Sequence, residues 1–166
     1  MSGILSKALF WFQAKSRHGI HSPFIYEFLD RAVYTRDVKK GSPRQRLLRA
    51  TRVHFGPERI WVSTGLPANS GILKELNPDP ALQRPPFDLF VFDIPSQEVT
   101  EVLSDAGLWR NDSIVYLGNI RSSASAYALW EQIRVHPSVC VAVEAYWEGL
   151  LFFRKEQAKQ HFKIRT

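Results

Sequence analysis

The chain of 166 residues contains a single cysteine, Cys140, so it cannot close an internal disulfide. Its neighbours Val139, Val141 and Val143 make it read as a buried apolar thiol kept in a reducing compartment. No run of about eighteen apolar residues occurs, which leaves no segment to cross a bilayer as a helix. The first dozen residues include Ile4, Leu5, Ala8, Leu9 and Phe10-Trp11-Phe12, but no small-residue cleavage site follows before Lys15 and Arg17. The expectation is a cytoplasmic protein. Zinc-finger spacing, RNA-binding signatures and internal repeats are also absent. His18 and His21 have no cysteine or third histidine nearby, so capping or turn roles suit them better than metal ligation.

What is present is enough for one folded unit. Aromatics at 13% and charged residues at 23% lie far from a disordered composition. The net charge of +6 hides a segregation. Residues 1–60 sum to +8, residues 61–153 to −6 and residues 154–166 to +4. A basic surface of this kind suits an anionic partner, nucleic acid or acidic headgroups; equally, the basic ends can lie against the acidic middle or be solvated.

Apolar spacing predicts a helix over Ile4 to Lys15 and a second beginning at Ser22-Pro23, an N-cap followed by proline at the first helical position. Ser42-Pro43 repeats that grammar for a helix to about His54, with Leu47, Leu48 and Thr51 inward and Arg44, Arg46, Arg49 and Arg52 mostly outward; Gly56-Pro57 stops it. Arg59 to Thr64 reads as a strand, followed by a loop and a short helix near Ser70 to Leu76. The prolines between Asn77 and Pro86 mark a further loop. Phe87 to Ile94 is a continuous apolar run, the pattern of a parallel strand covered on both faces. Helix (Gln97–Ala106), strand (Ser113–Leu117) and helix (Ser122–Val135) alternate after it. Val139 to Tyr146 and Gly149 to Arg154, separated by Trp147-Glu148, must form an antiparallel hairpin. The class is α/β with a mostly parallel sheet, organised as an N-terminal helical segment (1–56) and a sheet-bearing unit (57–166) in one compact body.

Arg17-His18-Gly19-Ile20-His21-Ser22-Pro23-Phe24-Ile25-Tyr26, Asn111-Asp112-Ser113, His136-Pro137, Leu151-Phe152-Phe153-Arg154-Lys155-Glu156-Gln157 and Lys159-Gln160-His161-Phe162 resemble segments of bacterial class I S-adenosylmethionine-dependent methyltransferases of the Bacteroidetes type. The resemblance implies a reduced Rossmann-like fold of about five strands in the family's order 1-4-5-7-6, with the methyl donor at the carboxyl ends of the first strands. It makes Gly65, Asn69, Asp93 and Asn119 the candidate cofactor-binding residues; no catalytic residue can be named.

These motifs depart from the family pattern. Ser63 stands where the first strand ends in an acid, and Leu66-Pro67-Ala68-Asn69 replaces the spaced glycines, although proline offers no N–H donor. The stretch from Thr64 to Phe87 is too short for the family's second and third strands, so the ribose-binding acid is missing with them. Asp93 matches the acid ending the fourth strand, and Asn119 stands where further acids are usual. One carboxylate and one amide are a poor set for a hard cation, so no metal is expected. Two functional readings follow: a methyltransferase-like protein with weakened or lost catalysis, a pseudoenzyme, or a basic-surface binding or scaffolding protein for nucleic acid or another anion. For Asp93 a cap on the following helix, and for Asn119 a turn role, are the structural alternatives. Trp61, Trp130 and Trp147 read as core or rim aromatics. The basic tail from Lys155 to Arg165 reads as solvated or docked. The first strand is expected at the sheet edge, covered by the N-terminal aromatic helix or by a homodimer partner.

Overall fold

The computed structural model describes residues 3–15, 19–40, 42–66 and 71–166, with the side chains of residues 3–6 and of Lys74 left undescribed. Helix α1 (Gly3–Gln13) is followed by α2 (Pro23–Phe28), whose Ser22 side chain accepts from the Ile25 amide. A π-helical stretch, Leu29–Val33, continues α2. The short α3 (Arg36–Lys39) and a 3-10 turn at Pro43–Gln45 lead into α4 (Arg46–Phe55). Gly56 ends α4 in the left-handed region at φ 55°, a conformation that glycine adopts without a side-chain penalty. Strand β1 (Ile60–Val62), α5 (Gly71–Leu76), β2 (Phe87–Asp93), α6 (Glu98–Ser104), β3 (Trp109–Gly118) and α7 (Ala124–Ile133) alternate after it. β4 (Val141–Ala145), β5 (Glu148–Phe152) and β6 (Gln160–Ile164) complete the chain.

The six strands form one mixed sheet in the order β1-β2-β3-β5-β4-β6. β1, β2 and β3 pair in parallel, β5 runs antiparallel to both β3 and β4, and β6 is parallel to β4. Only β5 therefore runs against the rest. Period-two side-chain alternation gives each face its own core. Leu89, Val91, Ile114, Val143 and Phe152 meet the helices α2 and α4 on one face; Phe90, Phe92, Val115, Leu117 and Leu151 meet α6 and α7 on the other. The helical segment before residue 57 thus shares a core with the sheet.

Several expectations are corrected. The sheet has six strands rather than five, because β6 adds a further edge strand beyond β4. The basic tail is that sixth strand: Phe162 and Ile164 alternate inward, and the Lys15 amide donates to the Lys163 carbonyl at 2.8 Å. β1 does lie at an edge, but α1 is at the opposite one, beside β6, where the Arg165 side chain donates to the Trp11 and Ala14 carbonyls. The Gln83 amide from the proline-rich loop reaches the β1 edge instead, donating to the Ile60 carbonyl at 3.1 Å. The hairpin turn is Tyr146-Trp147, with Glu148 already the first residue of β5. Cys140 is half-buried rather than buried, its thiol 3.6 Å from the Phe153 carbonyl. Finally, the arginines of α4 are half-buried clamps: Arg49 donates to the Val38 and Ser42 carbonyls and Arg52 to that of Glu75.

Candidate functional site

The carboxyl ends of β1, β2 and β3 place Ser63-Thr64-Gly65, Asp93 and Asn119 along one rim of the sheet. Asp93 and Asn119 are brought into direct contact, the Asn119 amide donating to Asp93 Oδ1 at 2.7 Å. Asn119 holds φ 56°, a left-handed conformation that asparagine tolerates better than most residues, so it turns the chain and ties two strand ends at once. Asp93 is not the cap of the next helix, because Gln97 stands at that position with no side-chain bond. Gly65 is exposed, and a Cβ there would meet only Ser63 Oγ at 3.6 Å, an ordinary contact. Asn69 lies outside the described residues.

One residue missed by the sequence reading dominates the β1 end. Glu98, in the first turn of α6, accepts hydrogen bonds from the hydroxyls of both Ser63 and Thr64, and from Ser96 Oγ at 3.4 Å. The Ser63 bond, then the Thr64 bond, holds its carboxyl below the ordinary value. The available signal was an acid in the first turn after a strand, which resembles any N-terminal helix charge.

Two more carboxylates sit at the β4-β5 turn, deep enough to be fully buried. Glu148 accepts from the Leu47 amide at 3.0 and 3.1 Å and from the Leu48 amide at 3.4 Å, capping α4 from 101 residues away. Burial pushes its carboxyl up to about 7, against the lowering effect of those amides. Beside it, burial and then the Glu148 charge raise the Tyr116 phenol well above its usual value; its hydroxyl donates to the Arg44 carbonyl at 3.3 Å. Glu144 is ion-paired with Arg121, and His161 Nε2 stands 3.2 Å from its other oxygen. Burial would raise the Glu144 carboxyl, but the His161 and Arg121 side chains outweigh it and hold it low. The Arg121 guanidinium in turn lies over the Tyr127 ring at 4.1 Å and faces Phe10 and Tyr146.

Trp130 is fully buried, Trp61 lies 5.1 Å from the Phe92 ring and Trp147 receives the Arg44 guanidinium at 4.2 Å. Among the described residues, no group of three or more His, Cys, Asp or Glu could hold a metal ion, and no helix is long and apolar enough to cross a membrane. Asp93 and Glu98 are already bonded to neighbouring side chains, and the space above Gly65 would accept a Cβ. Compared with models of protein families, with curated proteins and with solved structures, the chain finds no match in any of the three.

Proposed function

We propose that this chain is a methyltransferase-like domain of reduced Rossmann-like form that has lost methyl-donor binding and serves as a non-catalytic binding or scaffolding protein. The observation that carries this reading is the internal engagement of Asp93 at the end of β2 and of Glu98 at the start of α6. Asp93 is taken up by Asn119, and Glu98 by Ser63 and Thr64. A ribose hydroxyl pair would have to compete with the protein donors already bonded to these carboxylates. Without the nucleoside bound, proximity and orientation, the main sources of rate in methyl transfer, have nothing to act on.

Thermal unfolding with and without S-adenosylmethionine and its demethylated product tests the reading. Any ligand bound only by the folded state raises stability by RT ln(1 + [L]/Kd), about 2.7 kcal/mol at a hundredfold excess over Kd. The expected result is an unchanged midpoint at about 1 mM of either compound; a rise of several degrees would contradict the loss of methyl-donor binding.

A further inference from the structure

We propose that the groove between the α1–α2 connection and β6 is a binding site for a phosphate-bearing anion. A cavity of about 430 Å³ opens there, within the range that holds small ligands, and its lining includes Gln13, Lys15, His21, Gln160, His161 and Lys163. Every charged or titratable side chain among these is a cation or a histidine. Glu144, beneath His161, is fully buried with its charge met by Arg121. The amides of Gln13 and Gln160 add neutral hydrogen-bonding groups to two lysines, a composition suited to phosphate oxygens.

The backbone fixes this arrangement. The Lys15 amide donates to the Lys163 carbonyl at 2.8 Å and the Arg165 amide to the Lys15 carbonyl at 3.3 Å, so Lys15 extends the β6 edge as a single further bridge. Lys163 Nζ donates to Gln13 Oε1 at 2.9 Å, setting its ammonium at the cavity wall. Gly19 lies against the Lys15 stem, where a Cβ would come within 3.2 Å of its Cδ. The lining thus brings Gly19 and His21 of one sequence motif together with Gln160, His161 and Phe162 of another. Small-molecule phosphates and lipid headgroups share the chemistry that this cavity recognises.

The test is a titration of isotopically labelled protein with inorganic phosphate and pyrophosphate, followed by amide NMR, beside sedimentation with vesicles of phosphatidylcholine with or without phosphatidylglycerol. Saturable shifts clustered on Gly19, His21, His161 and Lys163 are expected. Lys163→Gln and Lys15→Gln should each weaken binding about tenfold, as loss of a charge-assisted hydrogen bond implies. Lys159→Gln is the control, since Lys159 lies outside the cavity lining and reaches the His136 carbonyl. It should leave binding unchanged, and the spectra report that each variant is folded. If only vesicles with phosphatidylglycerol bind, with the same dependence on the two lysines, the phosphate is a headgroup and the site stands. Equal weakening by all three variants, shifts scattered over the basic surface, or no binding to any probe would overturn the site.

Discussion

At Gly149 the constraint is steric. A Cβ there would fall 2.4 Å from Trp130 Cζ3, and Trp130 is fully buried, so the ring cannot swing out of the way. Gly149→Ala is expected to cost about 1–3 kcal/mol or more in denaturant unfolding, in line with other overpacked cores. Gly65→Ala, with only Ser63 Oγ at 3.6 Å, should stay within about 0.5 kcal/mol. Glu148 gives a pH signature. Its folded carboxyl titrates near 7, above the ordinary 4.5, so the folded state holds the extra proton between those values. Stability from this group is therefore full below about 4.5 and lost as pH rises through about 7, by at most about 1.4 kcal/mol per pH unit. His54, lowered from 6.5 mainly by burial, acts in the opposite sense on the acid side, so the difference between wild type and Glu148→Gln isolates the effect. The variant should lack this downward slope between about pH 5 and 8; identical slopes in both proteins would contradict the burial argument.

Among the elements, β6 shows what the sequence could and could not convey. The tail reads as a charge run because Lys159, Lys163 and Arg165 dominate it, yet Phe162 and Ile164 keep the period-two alternation of a half-buried strand. Its partners, β4 and Lys15, lie far away in sequence, and no local pattern specifies them. Ile164 is completely buried, so Ile164→Ala should lower stability by about 2–5 kcal/mol in chemical unfolding, whereas a solvated tail would lose almost nothing. The long apolar runs of β2 and β3 and the Ser-Pro caps were legible because they depend on nearest neighbours. At the candidate site Asp93 and Asn119 could be placed at strand ends, but their mutual bond, and the Glu98 bonds to Ser63 and Thr64, depend on how adjacent strands line up. Ser63→Ala should raise the Glu98 carboxyl toward its ordinary value, as carboxyl NMR titration would report.

Across the whole molecule the sheet is a gradient from a closed centre to two differently protected edges. β2, β3, β5 and β4 each have neighbours on both sides; among the described residues, β1 has β2 and the reach of Gln83, and β6 has β4 and Lys15. Native-state hydrogen exchange should find the amides of Phe90–Phe92 and Val115–Leu117 protected to the limit of global unfolding, with β1 and β6 opening earlier. Uniform protection across all six strands would contradict that ordering. The basic C-terminal end and acidic middle are also partly reconciled within the fold, since Arg154 pairs with Asp112.

Asp93 and Glu98 are committed to protein donors rather than to a nucleoside. Isothermal calorimetry with S-adenosylmethionine measures this most directly: the account predicts no saturable heat up to millimolar ligand, and a dissociation constant below about 100 μM, worth more than about 5 kcal/mol of binding energy, would contradict it.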